Sequence, residues 1–128
     1  MKIPIGIRAI DVHVHPNHEE AIRSGGAYLE WAKHHFKASA PDAISIEATA
    51  AMYRDQRMMA VLLGKDARTN TGLPAIPNDS IAGAVREHPD VFFGFGSVDP
   101  HQDVSWCVEE VHRCRELGLI GLKFQQAV

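Results

Sequence analysis

Two histidines, His13 and His15, stand two residues apart in the segment Ile10-Asp11-Val12-His13-Val14-His15-Pro16. Successive side chains of a strand point to opposite faces, so an extended chain projects both imidazoles from one face with Cα atoms roughly 6.5 to 7 Å apart. From that separation two ring nitrogens can converge on one cation at the ~2.0 to 2.1 Å of a Zn–N bond. The same alternation puts Ala9 and Asp11 on the face of the histidines and Ile10, Val12 and Val14 on the other. Three polar side chains stacked on one face are poor core material, and a metal ion is the partner they need. Asp11 then serves to orient a ligand histidine rather than to ligate. Spacing alone is weak evidence, since 8 histidines in 128 residues give roughly 0.5 H-x-H pairs in a shuffled chain. Context discriminates: the pair closes the first predicted strand and opens onto a long loop.

Further chemistry lies in the second long loop, residues 65–79, where Arg68, Asn70 and Thr71 stand close together. A guanidinium binds a carboxylate through two parallel hydrogen bonds, and a short amide or hydroxyl adds orientation, so the three are candidates for holding a small carboxylate-bearing substrate. A solvated loop is the bland reading of the same residues. His101 follows Asp99-Pro100 and can line the same mouth, whereas His34, His35, His88 and His112 read as surface or helix-packing residues. Cys107 and Cys114 are seven apart in a helical stretch, ~10 Å at 1.5 Å per residue, too far for a disulfide.

The elements that must position these residues follow from periodicity. Apolar or β-branched runs at residues 8–15, 58–64, 91–98 and 119–124 read as strands. Amphipathic stretches at 45–57, from 78 to before 88, and at 103–117 read as helices. Asn78 or Asp79 is placed to cap the second, and Gly118 to end the third, whose stripe is Val104, Cys107, Val108, Val111 and Cys114. Alternating strands and helices make a parallel α/β sheet. Connections from strand to helix are long and those from helix to strand nearly absent, which places chemistry at the C-terminal ends of the strands. The first long loop, residues 16–43, holds a further helix at 25–37 with Tyr28, Trp31, His35 and Phe36, suited to a lid over the substrate.

The strand-one segment, together with Gly94-Phe95-Gly96-Ser97-Val98-Asp99-Pro100 and Glu116-Leu117-Gly118-Leu119-Ile120-Gly121-Leu122-Lys123, resembles the amidohydrolase superfamily, and within it the amidohydrolase-2 branch of the aminocarboxymuconate-semialdehyde decarboxylase type. The resemblance implies a (β/α)8 barrel of TIM type with one divalent metal ion, zinc being the expected one. The family holds it with the H-x-H of strand one, a later His and an Asp near strand eight. His13 and His15 match the first two positions, and the others have no counterpart here. A complete barrel takes ~250 residues, so residues 1–128 are expected to be the N-terminal portion of a metal-dependent hydrolase domain, about half a barrel. The implied function is hydrolysis by metal-activated water, with non-oxidative decarboxylation as the alternative in the same branch; its catalytic acid–base residues are expected beyond Val128. Some branches of the superfamily carry a carboxylated, metal-bridging lysine at the end of strand four. Lys123 stands there, either in that role or as a barrel lysine with a structural or substrate-binding one.

Composition bounds the rivals. A formal charge of -3, from 13 Lys+Arg and 16 Asp+Glu mixed along the chain, gives no basic footprint for nucleic acid. No apolar run approaches the roughly 18 residues of a membrane-spanning helix, and the start lacks a signal-peptide build, so the cytoplasm is the expected compartment. Homo-oligomerisation is expected, because an apolar strand edge is otherwise bare; an inert half-barrel that assembles or merely binds metal is the rival from another class. A nucleotide-binding doubly wound domain would need a glycine-rich turn after strand one, where His15-Pro16-Asn17-His18 stands.

Overall fold

The computed structural model describes residues 3–37 and 43–125, without the side chains of residues 28, 32 and 33. At its centre is β2 (Met58–Leu63), a run of apolar residues buried from Met59 onward. Apolar character on both faces suits a strand covered on both sides within a parallel sheet. On one side β2 pairs with β1 (Ala9–Val14), and on the other with β3 (Phe92–Ser97), which in turn pairs with β4 (Gly121–Lys123). All pairings are parallel, and the spatial order β1-β2-β3-β4 follows the chain. A sheet that never reverses its order has no switch point of the doubly wound kind; it is the order of a (β/α) barrel.

The helices cover one face. Ala60, Leu62 and Phe92 meet Ala50 and Tyr53 of α2 (Ile46–Asp55), Ile81 and Ala84 of α4 (Asn78–Glu87), and Cys114 of α5 (Val104–Glu116). On the inner face Met59, Val61, Leu63 and Phe93 cluster with Ile7, Ile10 and Phe95, and among the described residues no helix contributes to this cluster. Gly96 permits the close approach of α5: a Cβ there would lie 2.6 Å from Cys114 Sγ.

Helix ends follow local chemistry, with one exception. Ser45 Oγ accepts from Ala48 N at the start of α2, Asp103 Oδ1 accepts from Ser105 N at the start of α5, and Gly118 at φ 85 terminates α5. At α4 the expected cap by Asn78 or Asp79 does not form, and Pro77 takes the cap position. Asn78 is drawn instead to buried backbone, its Oδ1 accepting from Ser97 N at 2.8 Å and its Nδ2 donating to Ser97 O at 3.0 Å. Asp79 accepts from Arg113. Buried main-chain groups left unpaired cost more than a solvated helix end, so the amide goes where water cannot.

Two further expectations are corrected. The helix in the first loop, α1 (Glu19–Phe36), begins six residues earlier than its periodicity suggests and is broken at Gly26 (φ 47, ψ -141). Its second half carries Trp31 stacked on His35 at 4.8 Å and Phe36 edge-on to both, with Trp31 and Phe36 exposed; the Tyr28 side chain lies outside the described ones. The α5 stripe is buried only at Cys114, while Val104, Val108 and Val111 are exposed and, with Phe124, line an apolar groove of about 300 Å³. The stripe has the helical period, but no described element covers that side of the helix. Residues 65–79 also contain a short helix, α3 (Arg68–Thr71), within what reads as loop. No helix of the described residues is long and apolar enough to cross a membrane.

Candidate active site at the C-terminal ends of the strands

The first strand does not alternate evenly. Asp11 is opposite Ala60 and Val14 opposite Leu62, so β1 takes three steps where β2 takes two, which leaves one extra residue in β1. Such a bulge inverts the faces beyond it. Ile10 consequently lies in the inner cluster and Val14 against the helix side. Asp11, expected on the face of the histidines, turns to the helix side instead, where Tyr53 Oη donates to its Oδ2 at 3.0 Å. Its other oxygen accepts from the backbone N–H of His13 at 3.1 Å. Asp11 thus touches His13 through the main chain at the bulge and makes no contact with an imidazole.

Beyond the bulge the two imidazoles come together, with His13 Nε2 and His15 Nε2 3.1 Å apart and ring centroids 5.1 Å apart. Two nitrogens bound to one ion at ~2.05 Å and a near-tetrahedral angle stand about 3.3 Å apart, so the pair fits a shared divalent cation. Burial, and then the charges of His13, Lys123 and Lys65, hold the His15 imidazole below the usual histidine range. That favours the neutral ring, the form that ligates.

The two lysines reach this place by strand period. Met59, Val61 and Leu63 point inward, and two residues on Lys65 continues the row. It donates to Ser24 O of α1 at 2.6 Å, and burial pushes its ammonium below the ordinary lysine range. On β4, Gly121 lies against the inward ring of Phe95, and Lys123 is two residues further along the same face. Ser97 joins the strand ends: its Oγ accepts from Asp66 N at 2.9 Å and donates to Lys123 O at 2.7 Å. Lys65 was legible from its register with 59, 61 and 63. Ser97 and Asn78 gave no sequence signal, because their role depends on which backbone groups remain unpaired once the sheet has formed.

Other expected site residues are not gathered here. Asp66, almost fully buried, holds the Arg68 guanidinium through Nε at 2.9 Å and Nη2 at 2.5 Å, and the same group lies 5.1 Å over the Trp106 ring on α5. Arg68 is therefore committed to the helix side and not offered to a substrate at the His pair. Thr71 Oγ1 donates to Ala67 O within its own turn, and Asn70 is exposed. His101 is exposed, and its backbone N–H bonds Asp99 Oδ1 at 3.0 Å. Asp99 itself is buried, which alone would raise its pKa; donation from Thr69 and from the His101 amide, with the nearby His101 charge, outweighs this and holds it below the usual carboxylate range. It clamps the loops after β2 and β3 together.

A second cluster, Glu47, Glu87 and His88, brings possible ligand atoms within 4.8 Å of one another on the helical layer. There Arg54 Nη2 lies 3.2 Å from His88 Nδ1. An arginine only donates, so Nδ1 accepts and the ring proton sits on Nε2, leaving neither nitrogen free for a cation.

No family model matches the sequence, and no curated protein matches it. Among solved structures, an uncharacterised TIM-barrel protein from Bordetella bronchiseptica superposes with a TM-score of 0.63 at 15% identity, over 86% of this chain and 41% of that one. The 4-oxalomesaconate hydratase from Rhodopseudomonas palustris matches more weakly, with a TM-score of 0.46 at 19% identity over 88% and 40% of the two chains. The chain spans about two fifths of the length of these structures. At such identity the likeness establishes architecture alone: the fold is α/β, that of a parallel TIM barrel, of which about half is present.

Proposed function

We propose that His13 and His15 hold one divalent cation, with zinc as the expected ion, in a metal-dependent hydrolase of the amidohydrolase type acting on a small carboxylate-bearing substrate. The observation that carries this reading is the 3.1 Å convergence of the two Nε2 atoms at the C-terminal end of β1, the end at which barrel enzymes keep their chemistry. Bound there, a divalent ion polarises a substrate oxygen or lowers the pKa of a water towards ~7. The chain's own residues supply the setting. The bulge, bonded through Asp11 and Tyr53, precedes the two rings that stand side by side, and partial burial with adjacent positive charge favours the neutral form of His15. The resemblance of the strand-one, strand-three and strand-four segments to the amidohydrolase-2 branch supports the reaction class.

Zinc titration of the chelator-treated chain, with His13→Ala/His15→Ala beside it, tests the reading. About one equivalent of zinc retained through gel filtration by the wild type and lost in the double variant is expected. A wild type that retains no more zinc than the variant overturns the proposal.

A further inference from the structure

The inner surface beside the histidines bears two ammonium groups from two different strands. Lys65 continues the inward row of β2 and Lys123 the inward row of β4, with β3 between them. Their separation is set by structure: the Ser97 hydroxyl ties the chain at Asp66 to the carbonyl of Lys123. One of the three protons of the Lys65 ammonium is used on Ser24 O, which anchors the group and leaves two to give. For Lys123 the described residues provide no hydrogen-bond or ion-pair partner for its ammonium. The nearby carboxylates are engaged elsewhere, Asp66 by Arg68, Asp99 by backbone amides and Asp11 by Tyr53. A face that carries two cations and, among the described residues near it, no unengaged carboxylate, next to the proposed site for a third positive charge, favours a negatively charged occupant.

We infer that Lys65 and Lys123 form the carboxylate subsite of this mouth, so that the substrate is an organic acid whose carboxylate lies between the two ammonium groups while its reacting end lies against His13 and His15. The assignment rests on the reading of the mouth as the active site and moves substrate recognition from Arg68, which Asp66 neutralises, to the lysine pair.

Calorimetric titration of the metal-free chain with glutarate, at low ionic strength, tests it without depending on turnover. Glutarate is expected to bind, to bind at least tenfold more weakly to Lys65→Gln and to Lys123→Gln, and to bind unchanged to Arg68→Gln. Gln at 65 keeps a donor for Ser24 O, and unchanged thermal melting of each variant separates lost affinity from lost fold. Should Lys65→Gln fail to fold, Lys123→Gln alone decides. Equal affinity in the folded lysine variants, a loss confined to Arg68→Gln, or no binding by either metal-free or zinc-loaded wild type would overturn the assignment. Zinc retention read on the same samples keeps the two proposals apart: lysine-dependent binding without zinc sinks only the metal reading, and zinc without lysine dependence sinks only this one.

Discussion

Tyr53 sets the direction of the histidines without touching them. Its hydroxyl donates to Asp11 across 3.0 Å, and Asp11 holds the His13 amide. Burial, followed by the Asp11 hydrogen bond and charge, pushes the phenol up to about 12. A pKa raised above the unfolded value of ~10 contributes stability in full below that value and loses it as the pH rises through about 12. Absorbance at 295 nm should therefore show a late tyrosine transition in the wild type that is missing from Tyr53→Phe. The variant should also lose about 1–3 kcal/mol, since it leaves a carboxylate oxygen without its donor; a variant with wild-type melting would show that the bulge stands without Tyr53. At this scale the sequence disclosed the His pair, because a spacing of two is local. It misplaced Asp11, because the extra residue in β1 is decided by pairing with β2, and no local preference announces it.

Among the elements, the strand ends depend on Ser97. Its hydroxyl serves both neighbours, so Ser97→Ala would orphan the Asp66 N–H and the Lys123 carbonyl in a buried setting. A cost of about 1–3 kcal/mol is expected, seen as a lower urea midpoint with an unchanged slope. An unchanged midpoint would mean that water replaces the hydroxyl. Strand positions were readable within one or two residues because runs such as Met58 to Leu63 are apolar throughout. The α5 stripe had the right period, yet burial at Val104, Val108 and Val111 requires a neighbour that the described residues do not provide. The first-loop helix, expected at 25–37 on its aromatic residues, begins at Glu19, and Gly26 is a break inside it. Arg68 looked available for the same kind of reason: its partner Asp66 is two residues away, but its commitment to the helix side also involves Trp106, which is distant in sequence.

For the whole molecule, stability is concentrated in the middle of the sheet. The cores on both faces converge on β2 and β3, whereas β1 and β4 each have one strand neighbour. Hydrogen exchange should therefore be slowest at Met59 to Leu63 and Phe92 to Gly96, opening only with global unfolding, and fast in the second half of α1, where Trp31 and Phe36 are exposed. Equal protection of α1 and β2 would contradict this distribution. The same dependence on tertiary pairing governs the end of β1 that carries His13 and His15. Excised as a short peptide, residues 9–15 would lose both the pairing with β2 that fixes the extra residue and the Tyr53 hydroxyl that holds Asp11. The proposed nitrogen-only grip on a cation is thus a property of the folded sheet and not of the H-x-H segment by itself.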